Sequence, residues 1–255
     1  KSYQNFYLTN QYISKKIDLY RTNLLNVKIR KNNIKVSKSP LKIIHITNFN
    51  ERHNGRLFYN TGRRINNGLI RLGHSVLEFS DRDIVSNHRN LNDFNGSKYL
   101  NKKLLSVIGN YIPDLVILGH ADLIDIKTLK LIKDYYPNIK FSQWFLDKMD
   151  SNWISNKKRF LDKLDIMDAN FCTTDPSFLK FPKKKSIYYI PNTVDQSFEK
   201  LKNYKFKNLK NDVFFAMSHG VHRGILKKGK FDIRENFIKR LTNKLPNIKF
   251  DLYGI

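Results

Sequence analysis

Short apolar segments rich in β-branched residues alternate with helical segments along most of this chain, and this alternation limits its fold more than any other feature. The apolar segments include LKIIHITNF (41–49), HSVLEFS (74–80), DLVILGH (114–120) and NIKFSQWFLD (138–147). Their apolar runs are too continuous for strands that expose one face to water. Such runs are typical of strands buried on both faces of a parallel sheet.

Helical patterns separate these strands. In the first of them, Ile65, Leu69 and Leu72 recur at helical spacing, and the pattern stops at Gly73, which we interpret as a C-terminal cap. Strands that alternate with helices predict an α/β fold with a Rossmann-like parallel sheet over about residues 41–192. The further helical patterns cover residues 99–112, 124–136 and 155–168, and two further short strands lie in 169–174 and 186–192.

The pattern also predicts how the chain divides. Residues 1–40 form a helical and basic extension, and 41–198 form the first Rossmann-like domain. A polar, lysine-rich linker follows at 199–211. Residues 212–255 then reopen the β-α-β pattern, so we expect the beginning of a second Rossmann-like domain that is incomplete at residue 255.

The charge balance favours anionic partners. Lys and Arg number 47 against 22 Asp and Glu, which gives a formal net charge of +25. A field of this sign attracts polyanions, anionic lipid surfaces and phosphorylated substrates. An AT-rich coding sequence also yields abundant Lys, Asn and Ile whatever the function, so the charge alone does not choose among these partners.

Three observations predict a cytoplasmic protein, with peripheral contact to the inner face of an anionic membrane as a further expectation. No apolar run approaches the roughly 20 residues of a membrane-spanning helix. The amino end lacks the charged-then-apolar pattern of a secretory signal. The lone Cys172 cannot form an internal disulfide, which agrees with a reducing compartment.

Three motifs in order resemble a known enzyme family. NNGLIRLGHSVLEFS (66–80) is similar to the helix-turn-strand of group 1, GT-B-type glycosyltransferases, and IPDLVILGHAD (112–122) to their Pro-Asp-x-Val strand ending in His. IPNTVDQSFE (190–199) looks like their turn into the second domain. QWFLDKMD (143–150) resembles the spore-maturation CgeB-like branch, because an aromatic run ending in an acidic residue replaces the usual His-Asp pair.

The resemblance implies transfer of a sugar from a nucleotide-sugar donor to a glycan, lipid or protein acceptor, in a cleft between two Rossmann-like domains. It implies no cofactor beyond the nucleotide sugar. The chain departs from the family at Thr193, where Gly is usual, and at the loop 50–60, which has one Gly instead of a glycine-rich turn. The family's Glu-x7-Glu-type donor site does not appear within the 255 residues.

The candidate site residues follow from strand ends and from the resemblance. His120 and Asp147 each close a predicted strand, at the edge where ligands of open α/β sheets bind, so we predict catalytic roles for both. The alternative for His120 is a histidine bonded to a neighbouring loop, and for Asp147 a helix cap or a salt bridge to Lys148. Substrate or donor contacts are predicted for Asn54, Gly55, Arg56, Asn192, Asp195, His219, Gly220, Arg223 and Lys228.

Within that set, the resemblance implies that Arg223 and Lys228 stabilise the diphosphate leaving group, although a solvated basic loop is an equal alternative. His219 and His222 have metal-like spacing, but no carboxylate or Cys cluster completes a site, so we predict no metal. The tripeptide at 81–83, DRD, matches the Asp-x-Asp of GT-A enzymes, and we interpret it as a turn cap. Glu78 would suit a dinucleotide-binding protein, but the loop after the first strand lacks G-x-G-x-x-G.

Two other classes of function stay open. The first is a non-catalytic module that binds a glycan or polyanion with a GT-B-like half. The second, a nucleic-acid-binding role, ranks last because no face combines interleaved aromatic and basic residues, and we expect no nucleic-acid partner.

Overall fold

Six parallel strands form the central sheet of this α/β protein: β1 (Lys42–Thr47), β2 (Ser75–Ser80), β3 (Leu115–Gly119), β4 (Lys140–Phe145), β5 (Ala169–Cys172) and β6 (Ile187–Tyr189). The computed structural model describes residues 39–149, 154–179, 186–202, 205–217 and 233–253. The prediction of a Rossmann-like α/β fold is confirmed. Across the sheet the strands lie in the order β2-β1-β3-β4-β5-β6.

Helices cover both faces of this sheet, as buried parallel strands require. The helix α1 packs Ile65 and Leu69 against Ile43, Ile117 and Trp144 on one face. On the other face, α3 and α4 enclose the larger part of the core, with Leu104, Ile108 and Leu129 among its buried residues. The helices are α1 (Thr61–Arg71), α2 (Asp81–Asn87), α3 (Ser97–Tyr111), α4 (Ile126–Tyr135) and α5 (Ile154–Leu161).

Helix α1 ends as its sequence predicts. Gly73 adopts a left-handed backbone with φ of 88°, and the N–H groups of Gly73 and His74 donate to the carbonyl groups of Ile70 and Leu69. Glycine takes this conformation without steric cost, which explains why the helical pattern stops there.

Two sequence predictions of local structure are wrong. The tripeptide 81–83 does not cap a turn but begins the short helix α2, with Asp81 and Asp83 in its first turn. The helix predicted for 155–168 ends at Leu161, and residues 162–166 form tight turns instead. These turns bury Leu164 and Ile166 in the core, so tertiary packing overrides the helical pattern.

The chain divides into two compact units after Phe198. In the second unit, the strands β7 (Val213–Ala216) and β8 (Phe250–Tyr253) pair in parallel and are joined through α6 (Ile233–Lys244). They form a sheet of their own rather than continuing the six-stranded one. On α6, Ile238 is buried, and the Glu235 carboxylate pairs with Lys239 at 2.5 Å. The predicted extension at 1–40 lies outside the described residues except for Ser39 and Pro40.

Candidate functional site

The strand order places a switch point between β1 and β3. From β1 the chain moves to β2 on one side, whereas from β3 it moves to β4 on the other. The loops that leave the carboxyl ends of β1 and β3 therefore diverge, and open α/β sheets bind their ligands at such a point. The residues that follow β3 and β4 lie at this edge.

His120 occupies a constrained position directly after β3. Its φ of 50° is left-handed, a conformation that side chains other than Gly adopt rarely and that often marks functional loops. The backbone N–H of Leu146 donates to His120 Nε2 at 3.0 Å. The imidazole also stacks on Phe145 with 4.2 Å between ring centroids. The strain is therefore held by contacts from the end of β4.

The hydrogen bond from Leu146 determines which ring nitrogen of His120 carries the proton. Because Nε2 accepts a hydrogen bond, the neutral ring carries its proton on Nδ1. That atom lies 3.6 Å from Asp147 Oδ2. Desolvation lowers the pKa of His120, although the Asp147 carboxylate opposes this effect. A neutral imidazole thus faces the Asp147 carboxylate with its N–H.

The structure therefore brings together the two residues predicted to be catalytic. Asp147 is the more accessible of the pair, with 53% of its side chain exposed. Its carboxylate can accept a proton from a bound hydroxyl, whereas both ring nitrogens of His120 already face a neighbour. The sequence suggested Lys148 as a salt-bridge partner of Asp147, and in the structure Arg159 Nη1 lies 3.7 Å from Asp147 Oδ2.

Two arginines extend this pair into a chain of alternating charges. Arg159 bonds the Asp122 carboxylate as well as facing Asp147, and Arg82 Nη2 lies 3.5 Å from Asp122. Both guanidinium groups are partly exposed. Arginine presents several donors in a plane and is suited to phosphate oxygens. Sequence reasoning missed Arg82, Asp122 and Arg159, and only the place of Asp122 just beyond His120 could have suggested one of them.

Two buried charged groups lie near this chain. Asp81 follows β2 directly, and neither of its buried oxygens meets a hydrogen-bond donor of normal geometry among the described residues. Burial raises the pKa of Asp81 to about 6, and the neighbouring Arg82 opposes the rise. Lys163 is also buried, and desolvation lowers its pKa against the attraction of Asp122. Burial therefore disfavours the charged form of both groups.

A closed polar network supports the site from the α1 face. Trp144 Nε1 donates to His45 Nε2 at 3.1 Å, and His45 Nδ1 donates to Asn66 Oδ1 at 3.3 Å. Asn66 Nδ2 in turn donates to Glu78 Oε1 at 2.7 Å, and Arg63 bonds the same carboxylate. Glu78 is thus held within the protein, so its alternative role toward a ribose has no support in these contacts.

This network reaches His120 through the Trp144 ring. The ring lies edge-on to His120 with 5.5 Å between centroids. It also covers Gly119, where an added Cβ would lie only 2.0 Å from a ring carbon. Gly119 is therefore needed for close approach of the backbone, and the ring in turn shapes the turn that carries His120.

The loop after β1 contains the predicted contacts Asn54, Gly55 and Arg56. Asn54 and Gly55 both adopt left-handed backbones, with φ of 49° and 84°, and Arg56 is exposed. The base of the loop is anchored because Asp83 accepts hydrogen bonds from the N–H of Glu51 at 2.8 Å and from Arg52. These residues follow β1 at the switch point, and a role in ligand binding stays a prediction.

The tail of the first unit lies along α1. Arg71 Nη2 pairs with Asp195 Oδ2 at 2.7 Å, and Ser197 donates from both its N–H and its hydroxyl to Oδ1. Against the effect of desolvation, Arg71 and Ser197 hold the pKa of Asp195 well below its usual range. Arg71 ends α1, so its pair with Asp195 lies at the carboxyl end of that helix, whereas Phe198 contacts Tyr59 and Arg64 near the start of the helix. The predicted Asn192 is exposed on the same tail.

The remaining predicted contacts, His219, Gly220, Arg223 and Lys228, lie outside the described residues, as does His222. Within the described ranges, no group of three His, Cys, Asp or Glu side chains is arranged to hold a metal ion. The same ranges contain no helix that is both long and apolar enough to cross a membrane.

Comparisons with known proteins do not assign the chain to a family. No protein-family model matches the chain, and no curated protein matches it. The site must therefore be interpreted from its own residues.

Proposed function

We propose that this protein is a GT-B-type glycosyltransferase that transfers a sugar from a nucleotide-sugar donor to a hydroxyl of a glycan, lipid or protein. The observation that carries the proposal is the pairing of His120 with Asp147 beside two guanidinium groups, at the carboxyl edge of a parallel sheet. A carboxylate and cations at one edge meet the two requirements of this reaction, a proton acceptor and stabilisation of a phosphate leaving group.

Asp147 receives the proton of the acceptor hydroxyl in this proposal. The acceptor oxygen forms its bond to the anomeric carbon as the bond from that carbon to the diphosphate breaks, and the nucleoside diphosphate leaves with the electron pair. His120 faces Asp147 with Nδ1 at 3.6 Å, and in this proposal it closes on the carboxylate when the acceptor binds and orients it, a positioning role. Assistance to the leaving group by Arg223 and Lys228 stays a prediction from the resemblance.

A non-catalytic glycan- or polyanion-binding module is the second candidate. It is favoured by one observation, namely that Arg82 and Arg159 are both paired with Asp122. This pairing lowers the positive charge that is available to stabilise a diphosphate leaving group. Such a module would bind sugar or anion without releasing a nucleoside diphosphate.

A thermal-shift screen of the full chain with UDP-, GDP- and ADP-linked sugars tests the proposal. A ligand present at 100 times its Kd stabilises the folded state by about 2.7 kcal/mol, which is measurable as a rise in Tm. We expect one nucleotide series to raise Tm and its sugar to be released or transferred on incubation. A rise without any release supports the binding module, and no rise with any donor contradicts both the enzyme and its donor class.

A further inference from the structure

The turn between α2 and α3, residues 88–96, holds two large apolar side chains out into water. Leu91 is 83% exposed and Phe94 is 78% exposed. Single exposed apolar residues are common on protein surfaces, but a Leu and a Phe on one short turn form a compact apolar tip.

The turn is held in one conformation by its own hydrogen bonds. The backbones of Asn90 and Asp93 bond each other in both directions at 3.2 and 3.1 Å. The Asn90 side-chain oxygen accepts from the N–H groups of Asn92 and Asp93, and the Asp93 carboxylate accepts from Tyr99 N–H at 2.9 Å. The apolar tip is therefore displayed by ordered backbone.

Gly96 closes the turn against α2. Its φ is 67°, and an added Cβ would lie 2.7 Å from the carbonyl oxygen of Val85. This close contact fixes the orientation of the turn relative to α2, and with it the direction of the Leu91 and Phe94 side chains.

Exposed cations lie on the turn and on the start of α3. Arg89 is part of the turn, Lys98 Nζ donates to the Asn92 carbonyl at 3.4 Å, and Lys102 is exposed one helical turn further along α3. The one carboxylate of the segment, Asp93, belongs to a buried residue. An apolar tip flanked by exposed Lys and Arg complements the interface of an anionic bilayer, where acyl chains take up the apolar groups and headgroups attract the cations.

The position of the turn gives this surface a consequence for the site. Asn101, in the second turn of α3, accepts from Asp125 N–H at 2.9 Å and donates to the Leu123 carbonyl at 3.3 Å. These bonds tie the amino end of α3 to the loop that follows His120. The turn 88–96 therefore lies at the same edge of the sheet as the candidate site.

We propose that the turn 88–96 inserts Leu91 and Phe94 into the interface of an anionic membrane. The binding goes beyond the proposed function and does not depend on it. Where the proposed function also holds, the turn brings the edge that carries His120 and Asp147 to the membrane, which favours a lipid-linked acceptor over a soluble one.

Vesicle sedimentation tests the proposal without any activity measurement. The full chain is mixed with vesicles of equal parts phosphatidylglycerol and phosphatidylcholine, and with vesicles of phosphatidylcholine alone. We expect binding to the anionic vesicles, and a loss of about tenfold or more in affinity for the double variant Leu91→Ser with Phe94→Ser, since two apolar side chains no longer leave water.

A matched control removes similar apolar area from the opposite edge of the sheet. Leu72 and Tyr135 are each 74% exposed. Leu72 follows the last residue of α1, and Tyr135 is the last residue of α4. The double variant Leu72→Ser with Tyr135→Ser should bind the anionic vesicles as the wild type does. Unfolding curves that match the wild type verify that both double variants are folded.

Three results would overturn the proposal. Wild-type protein that does not bind the anionic vesicles excludes the membrane as partner. Equal binding by the Leu91 and Phe94 variant assigns the affinity to charge alone and excludes insertion. A wild-type dimer in light scattering that this variant converts into a monomer assigns the tip to a second copy of the chain.

Discussion

Two histidines of this protein, one within β1 and one directly after the neighbouring β3, are held in different ways. His45 lies within β1, fully buried, with its two ring nitrogens bonded to Trp144 and Asn66. His120 lies just beyond β3, bonded on one side by backbone and facing the exposed Asp147 on the other. The first network is closed and serves stability, whereas the second opens to solvent and can meet a ligand. A histidine bonded at both ring nitrogens within the protein thus has a structural role. A histidine that faces an exposed carboxylate with one ring nitrogen can take part in ligand binding.

The largest expected effect distinguishes the open network from the closed one. Asp147→Asn should reduce glycosyl transfer by about 100-fold or more, since it removes the proposed proton acceptor. Its free energy of unfolding should stay within about 0.5 kcal/mol of the wild type, because the side chain is largely exposed. Turnover measured beside chemical denaturation checks both parts, and unchanged turnover contradicts the role of Asp147.

The closed network should respond to pH through His45. Desolvation lowers the pKa of His45 to about 4, and its ordinary value is 6.5. Between these values the unfolded chain binds a proton that the native state does not, so the free energy of unfolding falls as pH is lowered. The full effect is about 3 kcal/mol.

Comparison of the wild type with His45→Gln isolates this contribution. Glutamine can both donate and accept a hydrogen bond but does not titrate, so the variant should lose less stability between pH 6.5 and 4. Denaturation curves at several pH values measure how the free energy of unfolding depends on pH in each protein. Identical dependence in the two proteins would show that the pKa of His45 is not lowered in the native state.

The link between the two networks can be broken at Gly119. Gly119→Ala places a Cβ within 2.0 Å of the Trp144 ring, which His45 holds from the other side. Overpacking of this kind costs about 1–3 kcal/mol, and the displaced ring should also disturb His120. The matched control is Gly68→Ala, where a Cβ meets no atom within 4 Å and α1 should gain up to about 1 kcal/mol. Equal stability of the two variants would contradict the packing argument.

The smallest effect concerns Asp81 at the margin of the open network. Its pKa of about 6 exceeds the ordinary value of 3.8, so the native state binds the proton more tightly and stability falls as pH rises through this window. Asp81→Asn removes the buried charge. Its stability relative to the wild type should therefore increase by about 1–2 kcal/mol from pH 5 to pH 7.5. A difference that does not change with pH would mean that Asp81 ionises as an exposed carboxyl does.

The sequence predicts the strands of the first unit because continuous apolar runs between helical patterns have few other structures. The meeting of His120 and Asp147 is also predictable, since both residues close strands of one parallel sheet. The strand order is not, because the side on which each strand adds depends on its crossover. Arg82 and Arg159 were missed since long side chains from two different helices reach Asp122 across the fold.

Asp195 shows a different limit of sequence reasoning. Its motif suggested a ligand contact at the exit from the sheet, which stays a prediction, and in the structure Asp195 pairs with Arg71 at the end of α1. Nothing in the local sequence encodes a partner so distant along the chain. The donor contacts predicted for His219, Gly220, Arg223 and Lys228 stay predictions.

The close fit between Gly119 and the indole ring of Trp144 also limits how this protein can diverge. In descendants of this chain the two positions should change together, with a side chain at 119 tolerated only after a smaller residue has replaced the indole. Such paired exchange would leave a covariation signal between two neighbouring strands, and it would identify relatives whose overall sequence similarity has faded.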